Sequence, residues 1–261
     1  MVQEHGRPAI FAKNQAARIH FWVLIAGLLF VTIGEAIFFF IVFVHPNTLL
    51  GLLGLSLGLL GLYLLFKRLD PLMTKMGRQR IKYWRGGQTE ALVAMMLRDL
   101  EGPWHVFHGV MLQEDWDLDH IVVGPGGVFA ISTKSQRGCF SLSAVGQVLL
   151  NGEPTGLLSQ AQGFAMELRS RLEALMGADV PYVQAVLAAP FAWVAYSAKS
   201  QRVWVLHQEN LSDTLQDEAK QKRLDAKAIA RTAEAIEVLA AKSKGLWRRE
   251  EKTAVVKAGD V

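Results

Sequence analysis

Apolar and polar positions divide the chain into two regimes. From Phe21 to Val44 apolar residues run on, interrupted by Gly27, Thr32, Gly34 and Glu35. His45-Pro46-Asn47-Thr48 separates this run from a second, Leu49 to Phe66. A helix needs about 20 apolar residues to cross the hydrocarbon core of a bilayer, so the first run suffices and the second is of roughly minimum length. Pro46 disfavours one continuous helix. The pattern predicts a two-helix transmembrane hairpin over 21–66. A cleaved signal peptide would account for the first run alone, which is long for that role and is followed at once by a second.

After residue 86 the periods shorten. Leu92, Met95, Met96 and Leu100 recur at helical spacing, and Gly102-Pro103 stops that helix. Strands are predicted over 105–112, 118–123 and 128–134, with Gly124-Pro125-Gly126-Gly127 as the turn between the last two. A polar bend follows at 135–138, and a weaker strand pair surrounds Asn151-Gly152. Residues 158–175 keep helical spacing, 183–189 and 203–206 read as strands, and 218–244 as a charged, Ala-rich helix. The organisation expected is a cytoplasmic segment 1–20, the hairpin 21–66, a basic linker 67–85, an α/β domain 86–216, an amphipathic helix 217–246 and a disordered tail 247–261.

Charge sets the orientation. Of 261 residues 51% are hydrophobic and the formal net charge is +4, but the distribution says more than the totals. Arg7, Lys13 and Arg18 precede the first span, and Lys67, Arg68, Lys75, Arg78, Arg80, Lys82 and Arg85 follow the second, whereas the turn between the spans has no Lys or Arg. The positive-inside rule places both termini in the cytoplasm, in the cell (inner) membrane. The basic stretch 67–85 fits anionic lipid at the membrane surface, with phosphates of a bound nucleic acid as the other reading. Gly51, Gly54, Gly58 and Gly61 share one helical face. They suit packing of the two spans on each other, or a homo-oligomer through the second span. Glu35 falls in mid-membrane, where its protonated carboxyl could hydrogen-bond to Ser56 at similar depth on the return helix. The single cysteine, Cys139, excludes an internal disulfide and a Cys-rich zinc site.

Candidate chemistry gathers on the central hairpin. If Val123 pairs with Val128, Asp119 lies across from Ser132 and Asp117 across from Lys134, and alternation puts Ser132 and Lys134 on one face. Glu90, in the first turn of the preceding helix, is within reach of that face. Asp117 and Asp119 could instead keep a strand face soluble, with Lys134 in a surface ion pair to Asp117. His120 reads as packed, His105 and His108 point to opposite faces, and Trp193 and Trp204 read as core.

The motifs Gly87-Gln88-Thr89-Glu90, Asp117-Leu118-Asp119-His120-Ile121-Val122-Val123-Gly124-Pro125-Gly126-Gly127-Val128-Phe129, Ile131-Ser132-Thr133-Lys134 with Gly138, and Gln160-Ala161 resemble the nuclease-related domain (NERD) family of the PD-(D/E)xK nuclease superfamily, over roughly residues 83–207. The resemblance implies a restriction-endonuclease-like α-β-β-β-α-β core and a metal-dependent phosphodiesterase site. Asp119, supported by Glu90, would hold Mg²⁺ or Mn²⁺, Lys134 would act on the attacking water and the phosphate, and Gln160 would line the cleft. Ser132 stands where the family has Glu, and the family's Asn-Pro before the helix glutamine is replaced by Gly156-Leu157. Three readings follow: cleavage of nucleic acid, binding of nucleic acid by a degenerate nuclease site, or a non-catalytic membrane scaffold that assembles with partners.

Overall fold

The computed structural model describes residues 2–6, scattered positions between 21 and 78, and residues 81–259 apart from 114–115, 144–145, 196–197 and 201–202. The chain forms two compact units, one of Met1–Ile10 with Gly86–Val261 and one of Phe11–Arg85. In the second, the positions described are helical, and Phe21, Trp22, Leu28, Leu29, Ile33, Phe40 and Tyr63 expose apolar side chains. Thr32 Oγ1 donates to the carbonyls of Leu28 and Leu29 at 3.2 and 3.0 Å. Among the described residues no helix is long and apolar enough to cross a membrane. Most of 21–66, including Glu35, the turn at 45–48 and the four glycines of the second run, lies outside the described residues.

The first unit is a sheet with helices on both faces. Residues 81–98 form helix α1. Gly86 and Gly87, which in sequence mark the end of a linker, lie inside it; each costs about 1 kcal/mol relative to Ala, offset by burial of Val93, Ala94 and Leu97. A seven-stranded sheet runs β1 (Gln3–His5), β2 (His105–Gln113), β3 (Trp116–Gly124), β4 (Gly127–Thr133), β8 (Val183–Ala188), β11 (Val203–Leu206), β10 (Ala198–Ser200). A smaller sheet runs β7 (Glu153–Pro154), β6 (Val148–Leu150), β5 (Gly138–Leu142), β9 (Ala192–Val194). Helix α2 (Leu157–Met176) and the start of α4 (Ala226–Gly259) cover one face of the large sheet, where Leu168, Leu172, Ile229 and Ile236 join Ile121 and Val123. Helices α1 and α3 (Gln208–Ala219) cover the other, where Val93, Leu97, Leu211 and Leu215 join Val122 and Ile131. The expected α-β-β-β-α-β order is present, with β1 and the small sheet added to it.

Hairpin β3–β4 keeps the expected register, Val123 with Val128 and His120 with Ile131. Its glycines serve close approach. A Cβ on Gly124 would lie 2.1 Å from the Trp104 ring, and one on Gly126 would lie 2.8 Å from the Glu218 backbone at the end of α3. Three readings need correction. The charged stretch 218–244 is two helices, because Asp225 caps α4 by accepting from the Ala228 amide at 2.7 Å and Lys222 turns the chain at φ 45°. Residues 247–259 are helical rather than disordered, in keeping with a Lys-, Arg-, Glu- and Ala-rich stretch without proline. Residues 3–5 are a strand, parallel to β2 with Gln3 beside His105.

Candidate functional site

Strand β3 delivers the acidic residues, and an irregularity beside it sets their direction. The β2–β3 ladder pairs His108 with His120 and Val110 with Leu118. Between these pairs Gly109, at φ 60°, stands opposite Asp119. That left-handed conformation suits glycine and resets the strand alternation, so that Ile121 and Leu118 both enter the α2-side core. Asp119 is thereby drawn onto the end of β4. Its Oδ2 accepts from the Thr133 amide at 2.5 Å and from Thr133 Oγ1 at 2.9 Å. Thr133, which the sequence reading passed over, is therefore the hydrogen-bonding partner of Asp119, where Ser132 stood across from it in the expected register. Ser132 lies beside Leu187 in the parallel β4–β8 pairing, 3% exposed.

Lys134 follows at once. Its amide donates to the Ala188 carbonyl at 2.8 Å, which fixes the backbone where parallel strands β4 and β8 end. Its Nζ donates to Gln160 Oε1 on α2 at 2.9 Å. Asp117 completes the group: its charge and that of Asp119 both act on Lys134. The Glu90 backbone approaches His120, on the opposite, α1-covered face, closely enough to favour the imidazolium.

Burial dominates the electrostatics. It pushes the Asp119 carboxyl up to about 6; Asp117 adds to the rise, and the Thr133 hydrogen bonds and Lys134 oppose it. Asp117 is also raised, chiefly by burial. Burial lowers Lys134, against the pull of Asp119 and Asp117. Two carboxyls that resist ionisation thus lie beside a lysine amine that resists protonation, an arrangement frequent where proteins bind or react.

The oxygen donors do not make a complete divalent-cation centre. Asp119 is engaged by Thr133, and the position that would add a carboxylate from β4 is the buried hydroxyl of Ser132. Among the described residues no group of three or more His, Cys, Asp and Glu could hold a metal. Mg²⁺ prefers carboxylate oxygens in a near-octahedral shell, so the donor set supports at most loose retention. What the arrangement does supply is a lysine held by Gln160 at the carboxyl ends of parallel strands, where α/β sheets bind ligands.

A second polar cluster lies across the sheet. His108 Nδ1 and His120 Nδ1 are 2.8 Å apart with perpendicular rings, and His108 Nε2 is 3.8 Å from Glu4 of β1. Burial lowers both histidines, and His120 is packed as its sequence position suggested. Trp204 is core as expected, but Trp193 is 66% exposed and not core, because Ala192 before it takes the inward position on the short strand β9.

Residues 85–190 match the family model described as the nuclease-related domain, NERD. No significant match is found among curated proteins or solved structures.

Proposed function

We propose, from the match of residues 85–190 to the nuclease-related domain model, that the protein binds nucleic acid at the cytoplasmic face of the cell membrane through a degenerate nuclease site. One observation carries the binding part of this reading. Lys134, oriented by Gln160 and set beside Asp117 and Asp119, retains the cationic half of a phosphodiesterase site, while Ser132 replaces the carboxylate that would complete the metal half. The Lys134 ammonium pairs with a phosphate oxygen and Gln160 restrains its direction. Asp119 holds the end of β4 through Thr133, so that Lys134 is presented from a fixed backbone. The nuclease family's divalent ion would supply water activation and charge neutralisation; with this donor set that chemistry is weak or absent.

The membrane part rests on the two apolar runs over 21–66 and on the exposed apolar side chains of Phe21, Leu28, Leu29, Ile33 and Phe40 along the first of them. It is supported by β1. The chain leaves the first unit after Ile10 and rejoins it at Gly86, and Gln3–His5 are paired into that unit's sheet. An intervening membrane segment must then cross an even number of times, which agrees with both termini lying on the side favoured by the Lys and Arg residues.

The test is a binding and cleavage assay on the detergent-purified chain with Mg²⁺ or Mn²⁺, against Asp119→Ala and Lys134→Gln. Binding of nucleic acid that depends on Lys134, with cleavage weak or absent, is the expected result. Vigorous metal-dependent cleavage lost in Asp119→Ala would make the site a working nuclease. Absence of both binding and cleavage would leave the scaffold reading.

A further inference from the structure

Next to the Lys134 site lies a surface that the nuclease chemistry does not use. Strands β4 and β8 end side by side, Thr133 paired with Ala188. The two chains leaving them meet again as β5 and β9, which pair in parallel, Gly138 with Ala192 and Cys139 with Trp193. A turn closed by the Ala192 amide donating to the Ala189 carbonyl, 3.3 Å, keeps β9 close to the end of β8. Trp193 follows Ala188 by five positions, so the backbone between them spans at most about 17 Å, a reach of a few nucleotides from Lys134.

On this small sheet Phe140 and Ala192 face inward and enter the core. Trp193 faces outward, 66% exposed, and Phe191, two residues earlier, is 42% exposed. Arg137, two residues before Cys139, is exposed as well. In the register that pairs Cys139 with Trp193, Arg137 and Phe191 each lie two residues earlier, in the segments that lead into the two paired strands. The single acidic residue in the four strands, Glu153, is on β7 at the far edge. Two aromatic rings and a guanidinium left in water on one sheet edge, with no acidic neighbour on their own strands, suit a ligand that is flat, apolar on its faces and anionic along its length.

We infer that Trp193 and Phe191, with Arg137, form a stacking platform for the unpaired bases of single-stranded nucleic acid whose phosphate is held at Lys134. Unpaired bases offer faces that aromatic side chains can cover, whereas duplex bases hide theirs. The inference deepens the nucleic-acid reading above and rests on it.

The experiment measures fluorescence anisotropy of labelled oligothymidine, and of a duplex of equal length, on the full chain in detergent. The unaltered protein should bind the single strand at least about ten-fold more tightly than the duplex. Trp193→Ala should weaken single-strand binding by about ten-fold, the scale of one lost stacking contact, and leave duplex binding and the melting temperature unchanged. Trp193→Phe should recover most of the loss, and Arg137→Gln should reduce the salt dependence of binding. Ultraviolet cross-linking of bound oligothymidine should map to the peptide containing Phe191 and Trp193, a readout that needs no variant. If Lys134→Gln abolishes binding while Trp193→Ala and Phe191→Ala bind like the unaltered chain, nucleic acid is bound but the platform is wrong. If the unaltered chain binds neither single strand nor duplex, the nucleic-acid reading and the platform fall together.

Discussion

Asp119 is held in the folded chain at a cost. Its carboxyl titrates near 6 when folded and near 3.9 when unfolded, so between these values the folded state binds more protons. Stability therefore falls as pH rises from about 4 to about 6, and the penalty is fully present above that window. Asp119→Asn keeps an acceptor for Thr133 and removes the charge. At about pH 8 the variant should be more stable than the unaltered chain by no more than about 3 kcal/mol, a gain that vanishes below about pH 4; thermal melts across pH check this. A variant less stable at every pH would mean that the Thr133 hydrogen bonds need the full carboxylate. Ser132→Glu tests the missing donor. A carboxylate forced into that buried position beside Asp119 should lower the melting temperature without metal. Mn²⁺ should restore it, by about 2.7 kcal/mol at a hundred times its Kd, while the unaltered chain shows a smaller metal response. The grouping of Asp119 and Lys134 on one hairpin could be read from strand alternation, whereas Gln160 entered only through the resemblance to the nuclease-related domain family. The partner of Asp119 could not, since one left-handed glycine, Gly109, offsets the geometry beyond the regular ladder.

Elements differ in how plainly the sequence announces them. Strands β2, β3, β4 and β8 and helix α2 are long enough for their apolar periods to be read. Strands β5 and β9 hold five and three residues, too few for alternation to separate an inward from an outward face, and Trp193 was assigned to the wrong side for that reason. Strand β1, Gln-Glu-His, has no apolar residue at all. Its contacts explain how it forms: Glu4 bonds Arg98 on α1 at 2.5 Å, and His5 lies 3.3 Å from Glu237 on α4 and stacks on Phe107 at 4.4 Å. The strand thus joins the helices of both layers. Removing residues 2–6 should speed hydrogen exchange in 104–108 and leave Val183–Ala188, inside the sheet, protected. Equal loss of protection in both would show that β1 is needed for the whole fold rather than for one edge.

For the molecule as a whole, topology is the property most open to test. A reporter fused after Phe66 should be active in its cytoplasmic form; activity confined to the outside would overturn the hairpin and its orientation. Strand β1 also imposes an order in time. It leaves the ribosome well before its partner, which begins at His105. At 5–20 residues per second it waits roughly 5–20 s before the edge it completes exists. Closing a free loop of about 100 residues costs roughly 4 kcal/mol in chain entropy; the membrane hairpin proposed above for 21–66, formed first, would bring the two ends together and remove part of that cost. Membrane insertion would then act as the jig on which the sheet is finished. Nascent chains arrested before His105 should carry an N-terminal tag open to added protease, and chains arrested well beyond Leu206 should show the segment after the tag protected.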